Sequence, residues 1–471
     1  MDKVDKPVEK PSRDETTEEL PLKTEAKNDI HSMTFLEKIK FAKSNITVEP
    51  VLALFVMPSV LAMLATQNLN LEKACRVNLG FGDEACTALR LRKRANHTFE
   101  EDEVQKLIAS VQAWKSVVHT AVPTLLMLFI GAWSDKTGKR KICMLMPIFG
   151  EFMTCLLNMI NTYFFYEVPV EWTVFMEVIF PSLTGGWYTM FLGTFSYLGD
   201  ITSKDTRTFR MGILNLCMTV GFPIGMGLSG ILLRVIGYYG VFAISAALQF
   251  INFCYVLFRI DDHTWLENKD KVKRTGCTGF LLEFFDFHSL RETVEIAFKK
   301  GPNNRRLRIC LILTVVCLTF GPMWGELSVM YIFTRYQFNW DEVKYSIYST
   351  YSLVTHSIAP LVEILNGTSA IALRSIASKL VSYQELGKVY SLFGVAETMM
   401  PIIFAPLYSK VYIATLTVLP GAVFLMSVAA TIPALCIFGW FYHQHKKDNK
   451  EKRLNVPNTP PLPGDIPVVP A

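Results

Sequence analysis

The sequence predicts an all-α protein that crosses a membrane many times. Hydrophobic residues make up 51% of the 471 residues and charged residues only 19%, whereas charged residues make up roughly a quarter of a typical soluble domain. Apolar runs of about 20 residues, long enough to cross a bilayer as helices, recur along the chain. Every second segment that connects these runs is mostly rich in Lys and Arg, as cytoplasmic loops are.

The clearest of these loops is residues 131–141, GAWSDKTGKRK, between the second and third apolar runs. Its glycines suit a tight turn and its basic residues place it in the cytoplasm. Because Lys and Arg are spread over loops and tails, the net charge of +5 does not call for a nucleic-acid partner. We find no metal-ligand spacing, nucleophile motif or phosphate loop, so we expect no metal, no cofactor and no enzymatic activity.

Composition divides the chain into a disordered tail, a bundle of six helices, a basic cytoplasmic linker, a second bundle and a second disordered tail. The corresponding ranges are 1–46, 47–258, 259–308, 309–442 and 443–471. Both tails and the linker are expected in the cytoplasm. Within the first bundle, 67–112 are polar and are expected to form a loop outside the cell or in a lumen. The fourth helix is predicted as one span over about 172–198, and the sequence GYYG (237–240) is predicted as the turn between the fifth and sixth helices.

This outer loop contains two cysteines and a glycosylation sequon. Asn96 begins the sequence Asn-His-Thr, and a long outer loop favours its glycosylation over a chance match. Cys75 and Cys86 lie in a compartment where a disulfide can form. Whether they pair with each other stays open, because sequence alone does not fix connectivity.

The order of helices and the turn pattern GxxxDKxG followed by three basic residues resemble the major facilitator superfamily. Three further segments, LGDITSKDTRTFRMGILN (198–215), NGTSAIALRSIASKLV (366–381) and ELGKVYSLFGVAE (385–397), resemble the solute-carrier family that contains the proton-coupled folate transporter, above all its insect members. The resemblance extends from the first helix to the last. It implies two helical bundles that transport a solute by alternating access.

The second half departs from that pattern. By residue 366 the chain already resembles the tenth helix of the family, although only one span has begun since the seventh, and no second copy of the turn motif occurs. We therefore predict that the end of helix 8, helix 9 and the start of helix 10 are missing, a loss of about 45 residues near 358–360. The major facilitator fold would then have about ten to eleven spans instead of twelve.

A cytoplasmic gate is expected at the two inner turns of the first bundle. The carboxylate of Asp135 can pair with Arg140 or cap a neighbouring helix and so hold this side shut. The resemblance covers Asp200 and Arg210, which are interpreted as a second gate pair, with a plain surface ion pair as the alternative. The predicted gate residues are Gly131, Asp135, Gly138, Arg140, Asp200 and Arg210.

Ionisable residues inside the apolar runs are candidates for proton coupling, because buried carboxylates can take up a proton at mildly acidic pH. These candidates are Glu151, Glu326, Glu397 and His119, and Glu177 belongs to the same class. A single membrane histidine is more often a hydrogen-bonding residue between helices, so that alternative stays open for His119.

The resemblance places a functional arginine at Arg374, where a guanidinium could hold an anionic substrate; pairing with a Glu to orient helices is the alternative. Glu397 and Asn215 complete the predicted substrate site. Two positions differ from the folate-carrying relative. Asn215 stands where that protein has a coupling Glu, and Gly321 or a neighbour stands where it has a histidine.

Together these features predict a secondary transporter of an organic anion, folate-like or peptide-like, driven by protons. Its partners would be that anion, protons and the lipid bilayer. We expect the plasma membrane, with the lysosomal membrane as the second choice. The alternatives are a shortened, non-transporting isoform that acts alone or on the full-length transporter, and a drug-type antiporter.

Overall fold

The computed structural model describes residues 46–93, 96–202, 204–262, 305–358 and 383–454. These residues form α-helices and one short π-helical segment, with no strand among them. The helices are α1 (Glu49–Lys73), α2 (Asp83–Arg90), α3 (Thr98–Thr137), α4 (Arg140–Tyr163), α5 (Val170–Leu183), α6 (Gly186–Ile201), α7 (Lys204–Arg259), α8 (Arg305–Phe338), α9 (Glu342–Ile358), α10 (Tyr383–Thr415) and α11 (Ala422–Leu454). Most of the predicted tails and linker, and the region of the predicted loss after Ile358, lie outside this description.

Six of the described helices are long and apolar enough to cross a membrane. One of them, the 51-residue stretch Phe209–Arg259, is about 77 Å long at 1.5 Å per residue, about twice what a bilayer needs. Gly237 interrupts α7 with a φ of 68°, at the turn predicted between the fifth and sixth helices. With α7 counted twice and α5 with α6 counted once, the described chain has ten long segments, in line with the ten to eleven predicted.

We call the end of the bundle that carries the turn 131–141 the inner end, and the opposite end the outer end. At the outer end the predicted loop 67–112 is largely helical. α1 continues seven residues past its predicted end at Thr66, and α3 begins at Thr98. The polar side chains here are buried and bonded within the protein, which is why polarity was a poor guide to exposure. They are Asn68, Asn70 and Lys73, which bond to Leu64 O, Glu177 Oε2 and Val168 O.

The fourth predicted span is two helices, α5 and α6, rather than one. Gly185 and Gly186 have φ values of +80° and +49°, a left-handed conformation that favours glycine. The sequence analysis predicted a continuous helix here. Gly150 of α4 packs into the break, where an added Cβ would lie 2.3 Å from Thr184 Oγ1. The break therefore depends on glycines in two neighbouring helices.

Small residues on α7 allow close contact with helices of both halves. A Cβ on Gly225 would lie 2.6 Å from the carbonyl oxygen of Met57 in α1, and a Cβ on Gly230 would lie 2.6 Å from that of Glu342 in α9. The two halves meet where α7 contacts α9 and where α3 contacts α10, and α8 also contacts α3. Such small-residue faces let membrane helices approach closely.

Candidate functional site

A cluster of polar side chains lies inside the first bundle, where α1, α3, α4 and α5 meet. Its centre is an ion pair between Lys115 Nζ and Glu177 Oε1 at 2.5 Å, with side chains only 15% and 14% exposed. Asn70 Nδ2 donates to the other oxygen of Glu177 at 3.3 Å. Charged groups this far from water are stabilised mainly by their partners.

Two predicted proton-coupling residues belong to this cluster. His119 lies one helical turn from Lys115 on α3 and within electrostatic reach of Lys115 and Glu177. Glu151 is half-buried on α4, beside Ser59 and within electrostatic reach of Glu177. We call these five residues, Asn70, Lys115, His119, Glu151 and Glu177, the Lys–Glu cluster.

The sequence analysis did not single out Lys115. The available signal was a lysine four residues before His119, inside an extended apolar helix and thus on the same helical face. Its importance depends on Glu177 lying opposite, and that contact joins residues 62 positions apart. Neither hydropathy nor helical period could supply this pairing.

An aromatic group adjoins the cluster. The ring of Trp187 on α6 lies 5.4 Å from Phe55, 6.0 Å from Phe191 and 5.4 Å from Phe222, measured between ring centroids. Trp187 also lies beside Glu151. The cluster therefore has an apolar, aromatic wall next to its charged groups.

Glu326 and Glu397, the predicted residues of the second half that the structure describes, are not brought to this cluster. Glu326 on α8 lies near Tyr408 of α10, whose hydroxyl is 2.6 Å from Ser427 Oγ. Glu397 is half-buried on α10. Arg374 lies outside the described residues. Glu326 and Glu397 therefore stay predictions for the second half, as does Arg374.

Asn215 and Gly321, which the sequence analysis expects to differ from the folate-carrying relative, have clear local roles. Asn215 is exposed, and its amide donates to Met211 O within its own helix at 3.1 Å. Gly321 gives room to the ring of Phe404, because a Cβ there would lie 2.3 Å from that ring. A larger side chain at position 321 would require Phe404 to move.

The inner end is held by contacts of the turn 131–141 within the first half. Arg140 Nε donates to Asp200 Oδ2 at 3.0 Å, and its Nη1 donates to Ser134 Oγ at 3.0 Å. Gly138 closes α3 with a φ of 71°, and a Cβ added to Gly131 would lie 3.6 Å from Leu192 of α6. Asp135 is in α3, with its side chain outside the described part.

The sequence analysis expected Arg210 to pair with Asp200, but it does not. Its guanidinium binds Glu49 Oε1 through Nε at 3.1 Å and Nη2 at 2.9 Å, and Thr47 Oγ1 also accepts from Nη2 at 2.9 Å. Asp200 binds Arg140 instead. The two predicted inner gate residues thus belong to different ion pairs, because their helices face different neighbours.

At the outer end the two halves are joined by hydrogen bonds, a feature that the sequence analysis missed. Tyr331 Oη donates to Asn68 Oδ1 at 2.7 Å. Arg335 donates to Leu89 O at 3.2 Å and approaches Asn68 Oδ1 at 3.5 Å. Arg92 donates to Arg335 O. We call these contacts the outer closure, because they join the two halves at this end.

Charges around the outer closure are largely compensated. Burial, and then the neighbouring Arg335, lowers the pKa of Arg92 to about 10, so Arg92 stays charged at neutral pH beside Glu101 at 3.4 Å. Between the halves, Arg234 Nη2 binds Asp341 Oδ2 at 2.7 Å. Burial would raise the pKa of Asp341, but the backbone N–H of Lys344 and the Arg234 guanidinium outweigh it and lower that pKa.

A cavity of about 410 Å³ lies within this outer region and is lined by both halves. Close by, a disulfide joins Cys75 to Cys86 with a Cα–Cα distance of 5.9 Å, the pairing that the sequence left open. It ties the end of α1 to α2, whose last turn carries Leu89. Asn96 is exposed between α2 and α3, and its glycosylation stays a prediction.

These features define a class: an all-α membrane protein of two helical halves, with ionisable groups inside the first half and a polar closure at one end. The model of the Major Facilitator Superfamily matches residues 104–366. The chain therefore belongs to this superfamily, which confirms the predicted fold.

The relatives are transporters of the SLC46 type. The probable peptidoglycan muropeptide transporter SLC46 of Drosophila melanogaster is 21% identical over 454 positions, covering 85% of this chain and 86% of the relative. The lysosomal proton-coupled steroid conjugate and bile acid symporter SLC46A3 of Rattus norvegicus is 23% identical, covering 74% and 85%. The proton-coupled folate transporter of the same species is 22% identical, covering 71% and 79%.

Among solved structures, the POT family transporter PepTSo matches with a TM-score of 0.43 and 12% identity, covering 85% of this chain and 98% of that one. The SLC46 relatives confirm the resemblance stated from the sequence. The chain is thus a member of the Major Facilitator Superfamily that is similar to transporters of the SLC46 type.

The alignments also bear on the predicted internal loss. For the Drosophila relative, 85% of 471 residues is about 400, so about 50 of the 454 aligned positions have no residue in this chain. For rat SLC46A3, 74% is about 350 residues against 404 aligned positions, a similar difference. These gaps are close in total length to the predicted loss of about 45 residues.

Proposed function

We propose that this protein is a secondary active transporter that moves an organic anion together with protons by alternating access. The observation that carries the proposal is the Lys–Glu cluster, in which His119 and Glu151 each lie within electrostatic reach of Glu177 inside a membrane bundle. Ionisable groups inside membrane bundles are costly and mark proton relays and substrate paths. The names of two relatives, a folate transporter and a steroid conjugate and bile acid symporter, include proton coupling.

The outer closure supports the alternating-access part of the proposal. Its hydrogen bonds run between the halves, from Tyr331 and Arg335 on α8 to Asn68 and Leu89. Breaking them would let the halves separate at the outer end without disturbing either bundle. The small-residue contact of α7 with α9 gives a surface on which the halves can rock.

Further residues complete the proposal. In the second half, Arg374 and Glu397 would hold the anion, and Glu326 would be an additional proton site. Asn215 would line the path from the first half. The ion pairs of Arg140 and Arg210 would steady the inner end while the halves move.

The substrate class follows from the charges of the site and from the solutes named for the relatives: folate, steroid conjugates, bile acids and muropeptides. We propose an organic anion of this size range. The plasma membrane is the proposed location, with the lysosomal membrane as the alternative.

The test is uptake of folic acid, taurocholate and muramyl dipeptide by cells that carry the protein at their surface, at about pH 5.5 and about pH 7.5 outside. We expect uptake of at least one anion at the acidic pH and its loss when a protonophore collapses the gradient. The double variant Glu151→Gln/Glu177→Gln, which removes both acids of the Lys–Glu cluster, should remove the pH response, whereas the control Glu103→Gln, in a partly exposed ion pair on α3, should leave it unchanged. No uptake of any anion, with normal surface expression, would favour the non-transporting isoform instead.

A further inference from the structure

We infer that Lys115 is the anion-binding group of the first half, and that Glu177 occupies it until Glu177 takes up a proton. The inference rests on the proposed function and deepens it. In the structure, Lys115 Nζ is held by Glu177 Oε1 at 2.5 Å. A carboxylate of the protein therefore stands where the carboxylate or sulfate of an anionic solute would bind.

The geometry supplies no second acid as close to Lys115 among the described residues. The groups facing Glu177 are Lys115 and His119 from α3, Glu151 from α4 and the uncharged Asn70 from α1. Cys155 of α4 lies near Glu151. When Glu177 becomes neutral, Lys115 loses its ionic partner and is left mostly buried, a state that an incoming anion would relieve.

Asn70 is suited to both states of Glu177. Its Nδ2 donates to the charged carboxylate at 3.3 Å. Its Oδ1 is buried and has no hydrogen-bond partner among the described residues. A protonated Glu177 has an O–H to donate, and the Asn70 amide oxygen can accept it after a rotation of the side chain. The protonated acid can therefore leave Lys115 without losing every polar contact.

The exchange of Glu177 for the anion at Lys115 is sufficient to couple proton uptake to anion binding. The proton and the anion bind to two members of one ion pair, so each event favours the other, as linkage requires. The aromatic wall of Phe55, Trp187 and Phe222 adjoins the cluster through Trp187, which lies beside Glu151. It offers apolar contact to the body of an organic anion while Lys115 holds its charged end.

The experiment measures binding to the purified full-length chain in detergent, with no gradient present. Taurocholate is the anionic probe, folic acid and muramyl dipeptide are used in parallel, and the uncharged amide of cholic acid is the neutral control. For wild type we expect anion affinity to fall by up to tenfold for each unit that the pH rises, because one proton is taken up with each anion. Glu177→Gln should bind the anion with the same affinity at about pH 5.5 and about pH 7.5.

Two further variants separate charge recognition from loss of fold. Lys115→Gln should reduce anion affinity at least tenfold, while Lys115→Arg keeps it. The double variant Lys115→Gln/Glu177→Gln removes both charges, leaves no buried charge alone, and should show neither anion preference nor pH dependence. The matched control Lys106→Gln, in an exposed pair on α3, should behave as wild type.

The inference is overturned if Glu177→Gln keeps the wild-type pH dependence, if the double variant keeps the anion preference, or if wild type binds no anionic probe at about pH 5.5. The proposed function fails separately. Gradient-driven uptake that survives in the double variant would remove the inference and leave proton-coupled transport intact. Binding that depends on pH, without any uptake, would leave the inference intact and remove proton-coupled transport.

Discussion

Removing the Arg335 guanidinium should open the outer end. In Arg335→Met the apolar stem is retained, but the bond to Leu89 O at 3.2 Å is lost. The approach to Asn68 Oδ1 at 3.5 Å is at the limit of a hydrogen bond, so we count only one bond. A hydrogen bond from a charged donor contributes about 1.5–3 kcal/mol. Taking about 2 kcal/mol, the ratio of open to closed outer end should rise about 30-fold.

The assay follows a cysteine that the closure protects. Val104 lines the outer cavity and is only 5% exposed. Val104→Cys is reacted in whole cells with a maleimide that does not cross membranes, and its labelling rate reports the open fraction. Arg335→Met should raise this rate about 30-fold. Tyr331→Phe, which removes the 2.7 Å bond to Asn68, should raise it about fivefold, for about 1 kcal/mol.

The control is Lys106→Met, because Lys106 is on the same helix as Val104 but lies in an exposed pair. Its labelling rate should match that of Val104→Cys alone. If Arg335→Met labels less than about twice as fast as the parent, the closure is not held by this side chain and the reasoning is wrong. Reduced labelling would mean that Arg335 favours the open outer end.

Three further results are expected. Asp341→Asn should increase outer labelling equally at about pH 5 and about pH 7.5. Because the pKa of Asp341 is lowered, this acid stays charged throughout that range, and its contribution is lost only at lower pH. A larger effect at one of the two pH values would contradict this. Gly225→Ala should lower the thermal midpoint of the purified protein by an amount equivalent to about 1–3 kcal/mol, because its Cβ would lie 2.6 Å from a backbone carbonyl. The control is Gly439→Ala, since Gly439 has open space around it. Equal midpoints for the two variants would refute the packing argument. Replacing Cys75 and Cys86 together by serine should destabilise the outer end by about 2–3 kcal/mol, the value for a loop of 11 residues. A reducing agent should lower the thermal midpoint of the wild type but not that of this variant. If the variant is still sensitive to the reducing agent, the effect arises elsewhere.

Much of the fold was predictable because the bilayer imposes a strong and simple rule on helix length. Apolar runs gave most of the spans, and the GYYG turn marked the interruption that the structure places at Gly237. The break at Gly185 was not predicted. A glycine in an apolar helix can indicate either close packing of helices or a backbone with a positive φ. Only the neighbouring Gly150 and Thr184 distinguish these two explanations.

The candidate site was predictable as residue types but not as contacts. His119 and Glu151 stood out because ionisable groups are rare in apolar runs. Lys115 did not, since its meaning depends on Glu177 in another helix. Likewise the sequence favoured Arg210 as the partner of Asp200, its neighbour along the chain, whereas the packing of α1 against α7 brings Glu49 to it.

The disulfide between Cys75 and Cys86 has a consequence for where the protein can work. It fixes the outer end to an oxidising compartment. The exterior of the cell and the lumen of the lysosome are the same side in topological terms, since membrane traffic joins them without inverting a protein. A copy at either membrane therefore presents the same closure to the non-cytoplasmic side. What changes on moving between the two is the acidity that the outer end meets, so one orientation would serve both locations with a different supply of protons.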